Sequence, residues 1–306
     1  MKCLVTGGMG FIGSHLTKKL LSEGHDVLVI DNFSTSEVYK SESFKKYDNF
    51  KLEVYSIESN MINGIFNYFK PDYVFHLAAK ASVPKSFKNI KDFNRTNIDG
   101  TLNLLEASKN FGVKKFIFSS SSSVYGGLGP FPQKEDASLS PNSPYALQKM
   151  VGEEYCKTYF NSFGLDTCSL RYFNVYGPGQ PLRGQYSAVI PIFLDRKSKG
   201  LGVNIYGNGE QYRDFTYVDD VVSANILCAM SDIQNKGEVF NVCSGGKTSV
   251  NNLAKMLNIS DINYLPERQG DVFASCGDGK KIYEYNGFKV NVNMELGLKF
   301  TKEFYS

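Results

Sequence analysis

Tyr145 and Lys149 stand four residues apart, a spacing that on a helix puts both on one face about 6 Å apart along the axis. An ammonium beside a phenol favours the phenolate, drawing the tyrosine down from about 10 toward a range where it can take a proton from a hydroxyl. Tyr145 is therefore a candidate general base. The serine run 119–123, with Ser121 at its centre, offers hydroxyls upstream. Two residues on a solvated helix face would show the same spacing, so the elements around them decide.

Ser143-Pro144 has the form of an N-cap followed by proline at the first helical position, Leu147, Val151 and Tyr155 make one stripe, and Gly164 is a stop signal. The pair thus falls in the first turns of a helix. The serines directly follow the apolar strand Phe116-Ile117-Phe118. Upstream, Cys3 to Thr6 reads as a buried strand, then come Gly7-Gly8-Met9-Gly10-Phe11-Ile12-Gly13 and a helix with Leu16 and Leu20. The turn fits either Gly8-x-Gly10-x-x-Gly13 or Gly7-x-x-Gly10-x-x-Gly13; both let backbone approach a pyrophosphate at a helix N-terminus. A second strand, Asp26 to Asp31, ends in an acid suited to the ribose hydroxyls of NAD, and no arginine follows to offset the extra phosphate of NADP. Strands at Leu52–Tyr55 and Tyr73–His76, and helices at about 60–69 and 92–111, continue the alternation. They predict a parallel sheet covered on both faces, with ligands beyond its carboxyl ends. His76, ending its strand, is expected to order a loop.

From Thr167–Arg171 onward the alternation weakens. Val203–Tyr206 and Tyr212–Tyr217 read as strands, Val218–Met230 as a helix and Val239–Val242 as a buried strand, which implies interleaved lobes. The chain has 306 residues, 42% of them hydrophobic, and a formal charge of +3 without a basic block, so a substantial core is expected and no nucleic-acid partner. Six cysteines lack any Cys-x-x-Cys and, with three histidines, form no metal-ligand spacing, so no metal and a reduced cytoplasmic setting are expected. No apolar run reaches about 18 residues and the first strand begins at once, so neither a membrane span nor a signal peptide is expected.

The chain resembles the extended short-chain dehydrogenase/reductase family over essentially its whole length, and within it the UDP-hexose 4-epimerases. The motifs are Thr6 to Gly13, Asp31-Asn32, His76-Leu77-Ala78-Ala79, Asn97-Ile98-Asp99-Gly100-Thr101, the serines before Val124-Tyr125-Gly126, Tyr145-x-x-x-Lys149, Arg171-Tyr172-Phe173-Asn174, Arg213-Asp214-Phe215 and Arg268-Gln269-Gly270-Asp271. The resemblance implies an α/β fold: a Rossmann-type doubly wound parallel sheet in residues 1–172, with segments from about 210–245 returning to it. A smaller, interleaved C-terminal α/β substrate lobe would occupy mainly 173–306. It implies an NAD site from Gly7, Gly10, Phe11, Ile12, Gly13, Asp31, Asn32, Phe33, Ser34, Leu77, Ala78, Ala79, Lys80, Asn97, Ser119, Tyr145, Lys149 and Phe173. Ser56-Ile57 stands where many relatives carry Asp-Ile to reach the adenine. For a UDP-sugar it implies Ser82, Ser121, Ser123, Tyr145, Asn174, Tyr206, Arg213 and Arg268, with Asp271 at the uridine ribose and Ala188 and Val189 at the uracil edge. A homodimer through the helices around 92–111 and 144–163 is implied as well.

Sister enzymes that dehydrate or decarboxylate the sugar carry acids before Val-Tyr-Gly, where this chain has Ser121-Ser122-Ser123. Without a carboxyl group there, dehydration lacks its acid and base. The expectation is a 4-epimerase with Ser121, Tyr145 and Lys149 as catalytic residues. Ser275 aligns with a bulky tyrosine of some glucose-specific relatives and leaves room for a 2-N-acetyl group. UDP-glucuronate epimerisation and, from a different class, a silent NAD-sensing scaffold are the alternatives.

Overall fold

Short runs rich in branched and aromatic residues form seven strands that pair into one sheet. In sheet order they are Glu238–Val242, Thr167–Tyr172, Lys115–Ser121, Tyr73–His76, Lys2–Thr6, Asp26–Ile30 and Phe50–Glu53. The four pairings from Lys115–Ser121 to Phe50–Glu53 are parallel. Parallel strands need crossovers, and these are the helices Phe11–Ser22, Ile62–Phe69 and Gly100–Asn110; Pro144–Phe163 follows the interior strand Lys115–Ser121. Their apolar faces meet the sheet in a core that includes Leu4, Leu28, Val74, Phe116, Ile62, Phe66, Leu105 and Cys156.

The computed structural model describes residues 1–182, 188–267 and 272–305. The chain separates into two compact units. One comprises residues 1–121, 143–171 and 222–240; the other comprises 122–142, 172–221 and 241–306. In the first, Lys115 is buried and donates to the carbonyls of Cys228 (3.3 Å), Ser231 (2.6 Å) and Ile233 (2.8 Å). An ammonium there satisfies acceptors left open where the helix Val218–Met230 ends. The second unit contains short two-stranded pairings: Thr216–Tyr217 with Val175–Tyr176, Thr248–Ser249 with Tyr212–Arg213, and Ile262–Leu265 with Val203–Tyr206.

Three elements differ from the sequence expectation. The third strand runs Phe50–Glu53, not Leu52–Tyr55, because its ladder aligns Phe50 with Val27 and Glu53 with Ile30. The helix expected over 92–111 is Ile90–Asn94 and Gly100–Asn110 joined by a widened, π-type turn at Arg95–Asp99. That turn lets the buried Asn97 side chain leave the helix and bond a neighbouring loop. The strand expected at Tyr212–Tyr217 breaks into two pairs around Asp214, whose side chain is fully buried. Among the described residues no helix is long and apolar enough to cross a membrane, and no cluster of acids, cysteines and histidines could hold a metal.

The helix Pro144–Phe163 lies so close to the sheet that a Cβ on Gly152 would stand 2.3 Å from the Phe118 ring. Gly152→Val should therefore destabilise the protein, since overpacking costs about 1–3 kcal/mol and improved helix propensity returns only a fraction of about 1 kcal/mol. A urea midpoint equal to wild type would show that the ring yields freely.

Candidate active site

After Thr6 the chain turns at Gly7, where φ is +68°, and a Cβ there would lie 2.8 Å from the Ala78 nitrogen. A Cβ on Gly13 would lie 2.1 Å from the Gly7 carbonyl oxygen. These two glycines are fixed by backbone packed on backbone. Gly8 is excluded from other identities by Val29, whose Cγ2 would be 2.6 Å from its Cβ. Gly10 N–H donates to Gly7 O at 3.0 Å, and Gly10 precedes the helix Phe11–Ser22, which no side chain caps. The first N–H groups of that helix, beginning with Phe11 and Ile12, suit a pyrophosphate.

Asp31 is buried and accepts from Met9 N (2.9 Å), Phe33 N (2.8 Å) and Ser36 Oγ (3.1 Å). It joins the glycine turn to the end of the second strand, and a carboxylate's roughly four acceptor positions leave room for a ribose hydroxyl. Asn32 and Ser34 are exposed beside it, and Phe33 takes a left-handed backbone at φ +55°. Ser56 donates to Glu58, which also accepts from Thr96 Oγ1, while the buried Ile57 packs against Gly100. Glu58 escaped the sequence reading; it is the carboxylate that Ser56 and Thr96 both bond.

Leu77, Ala78, Ala79 and Lys80 form the half-buried loop after His76. Ala78 N donates to Thr6 Oγ1 at 3.2 Å. Lys80 N donates to Asn97 Oδ1 (2.8 Å), and Asn97 Nδ2 donates to Lys80 O (3.0 Å) and Gln148 Oε1 (2.9 Å). Gln148 was missed by sequence reasoning, although its place between Tyr145 and Lys149 was the available signal. Ser82, buried, precedes the short helix Val83–Lys88.

Ser143 caps the helix Pro144–Phe163 by accepting from Ala146 N at 3.2 Å. Tyr145 and Lys149 are both buried on it, and the Tyr145 phenol hydrogen-bonds Ser121 at the end of its strand. Burial pushes Tyr145 up to about 12, while the Ser121 bond acts in the opposite direction. Burial brings Lys149 down to about 8, opposed by the nearby Cys156 sulfur and the Glu153 carboxylate. The ammonium donates to Ser119 O at 2.6 Å and lies 4.8 Å from the centre of the Phe118 ring. Ser121, rather than Lys149, is the group that draws the phenol toward its anion in this geometry. His76 lies between Thr6 Oγ1 (2.8 Å) and Thr101 Oγ1 (2.9 Å), held neutral by burial and by the Lys149 charge, with its pKa brought down to about 3.

In the second unit, Arg213 donates through Nη1 to Tyr212 O (2.9 Å) and Phe273 O (3.2 Å). Ser275 is buried next to it, its N–H bonded to Tyr212 O at 3.2 Å. Asn174 is exposed, Tyr206 ends its short strand, and Ala188 and Val189 open the helix Val189–Ser198. Ser123 lies in the turn Ser122–Tyr125, and Phe173 is fully buried, its N–H on Val242 O at 3.1 Å. Arg268 and Asp271 lie outside the described residues. Asp214, quoted in the sequence only as part of the Arg213-Asp214-Phe215 motif and given no role there, accepts from Ser244 N (2.9 Å), Ser244 Oγ (2.7 Å), Gly245 N (3.0 Å) and Gly277 N (3.1 Å).

A Rossmann-like sheet, a glycine turn closed to larger residues, and a Ser/Tyr/Lys group beyond the strand ends define a dinucleotide-dependent enzyme class. The sequence profile of the NAD dependent epimerase/dehydratase family matches residues 3–243, and the chain belongs to this family. It is similar to a UDP-glucose 4-epimerase from Mycolicibacterium smegmatis, at 35% identity over 100% of this chain and 98% of the relative. A crystal structure of Thermotoga maritima UDP-glucose 4-epimerase with UDP-glucose shares 43% identity and a TM-score of 0.94, covering 100% of this chain and 98% of that one. UDP-N-acetylglucosamine 4-epimerase from Methanobrevibacter ruminantium M1, in complex with UDP-N-acetylmuramic acid, shares 39% identity and a TM-score of 0.93, covering 99% and 97%. Other relatives carry the names UDP-glucuronate 4-epimerase and UDP-N-acetyl-α-D-glucosaminuronate decarboxylase, so family membership alone leaves the reaction open.

The His76 environment has a measurable consequence. Because its folded pKa is depressed from 6.5 to about 3, its contribution to stability is intact above pH 6.5. As pH falls below that value the unfolded chain takes up the proton first, costing about 2 kcal/mol between pH 6.5 and 5. Denaturant unfolding of wild type should show this slope, and His76→Asn should flatten it.

Proposed function

We propose that the protein inverts C4 of UDP-hexoses through a transient 4-keto sugar, acting on both the glucose/galactose and N-acetylglucosamine/N-acetylgalactosamine pairs. The family is NAD-dependent, and the residues present fit the cofactor: the cradle at Gly7 and Gly13, the uncapped helix start and Asp31. NAD, when bound, supplies the hydride acceptor and donor for C4. Tyr145 takes the proton from O4 and later returns it. Ser121, already bonded to that phenol, relays the proton and orients O4. Lys149 contributes positive charge beside the site and a donor for the nicotinamide ribose. Arg213, Arg268 and Asn174 would hold the diphosphate, for which a planar, permanently charged fork is suited.

The observation that carries this reading is the Ser121–Tyr145 hydrogen bond followed by Ser122 and Ser123, with hydroxyls where dehydration or decarboxylation would need an acid. UDP-glucuronate 4-epimerisation is the second reading, supported by a relative of that name. A homodimer through the helices around 92–111 and 144–163 is proposed on the family resemblance alone.

Purified protein incubated with each UDP-hexose, without added NAD, should yield the C4 epimer. Loss of water or carbon dioxide would point to the sister reactions, and no turnover to an NAD-binding scaffold. Tyr145→Phe should lower kcat by at least about a hundredfold, the lower range for a general base; near-normal epimerisation would refute the mechanism. Ser275→Tyr should suppress the N-acetylated pair selectively, whereas equal loss on both pairs would remove Ser275 as the gatekeeper.

A further inference from the structure

Behind Tyr145 and Lys149, on the same helix, stands a carboxylate that the reaction does not use. Glu153 is 2% exposed and four residues beyond Lys149, so both face the sheet from successive turns. Arg171, 3% exposed on the neighbouring strand, grips it with two donors: Nε to Oε1 at 2.9 Å and Nη2 to Oε2 at 2.7 Å. Ser120 donates to Oε1 as well. Ser120 and Phe118 are two apart and share one face of their strand, so the strand meets this helix at Phe118 against Gly152 and at Ser120 against Glu153. The next residue along that strand is Ser121.

We propose that Glu153 is a positioning residue of this site: held by Arg171 and Ser120, it fixes the register of the helix carrying Tyr145 and Lys149 against the strand carrying Ser121, and it sets its negative charge toward the Lys149 ammonium. The inference rests on the epimerase reading for its catalytic consequence only. A buried ion pair gains little net stability over well-packed apolar residues, because desolvating both charges offsets their attraction. Stability alone therefore does not account for placing one here. Its geometry does, since a bidentate fork holds direction as well as distance.

The groups around Lys149 set the sign. On its own helix stand Tyr145, Glu153 and the thiol of Cys156, on one adjacent strand the Ser119 carbonyl and Phe118 ring, and on the next His76, which is neutral. Arg171 on the next strand but one from His76 is paired with Glu153. Of these, Glu153 is the carboxylate, and its field favours the charged lysine against burial. Without it Lys149 loses its proton at lower pH, and the positive charge it holds beside the Ser121–Tyr145 pair is lost earlier on the alkaline side.

Two variants test this: Glu153→Gln, which keeps shape while removing charge, and the double variant Glu153→Met/Arg171→Met, which replaces the pair by apolar side chains. The midpoint of Lys149 is read by 15N NMR of the lysine Nζ, assigned by its loss in Lys149→Met. In Glu153→Gln it should fall by about one pH unit or more, and the alkaline limb of the kcat–pH profile should move down with it, a loss of about twofold at pH 7 that approaches about tenfold near pH 9, with KM little changed. The double variant should regain thermal stability but neither the Lys149 midpoint nor kcat. A wild-type midpoint and kcat in both variants, or recovery of kcat together with stability in the double variant, would reduce the pair to a structural contact and overturn the proposal. If Glu153→Gln does not fold, the double variant alone carries the same decision. Failure of the wild-type protein to epimerise any UDP-hexose would remove the functional reading, while the Lys149 midpoint would still decide whether Glu153 governs that ammonium.

Discussion

Backbone has to pass backbone at the carboxyl ends of the parallel strands, and the first unit depends on how closely it does so. The Gly7 turn rests against Ala78, and no Cβ fits between them. Thr6 Oγ1 meets both His76 Nδ1 and Ala78 N, so one hydroxyl joins the first strand, the fourth strand and the loop beyond it. Asn97 then holds that loop at Lys80 and passes the constraint through Gln148 to the helix of Tyr145 and Lys149. Each group in this chain is buried or half-buried and has a partner, as a low-dielectric interior requires. The cofactor cradle and the catalytic helix are in this way parts of one hydrogen-bonded seam.

The fold was legible where local signals and tertiary demands coincide. The glycine turn, Asp31 at its strand end, the Ser143-Pro144 start and the Gly164 stop all stand where spacing and capping chemistry put them. Signals failed where a side chain overrode the backbone pattern. Asn97 widens an otherwise helical stretch, and nothing in the periodicity of 92–111 announces that its amide must reach Lys80. The edge strand Phe50–Glu53 slid by two residues because its register belongs to its neighbour, which propensity does not encode. At the site, residue types and order suggested Ser121, Tyr145 and Lys149, but not where the ammonium would point. That it donates to Ser119 O depends on the height of the helix over the sheet, set by Gly152 and Phe118.

The second unit is organised differently, by a single acid. Asp214 receives four hydrogen bonds from two separate segments, and burial raises its pKa in spite of them. It occupies the point where regular strand pairing stops, so the arginine just before it is presented from a short pairing with Thr248–Ser249, not from a long ladder. A site for a flexible, charged ligand assembled on loops needs such an internal anchor, since loops lack the repeated bonds that make strands rigid.

Lys115 carries a consequence for how the chain is made. Its ammonium is satisfied by carbonyls of Cys228, Ser231 and Ile233, more than a hundred residues downstream. As the polypeptide leaves the ribosome, the strand that ends in Ser121 therefore emerges long before the acceptors that take up the hydrogen bonds of the lysine at its base. Closing so long a loop is entropically slow, and the first unit cannot complete itself until about half of the second, residues 122–142 and 172–221, has been made. Biosynthesis thus ties the two units together: neither can be finished and released as an independent domain before the other has been substantially translated.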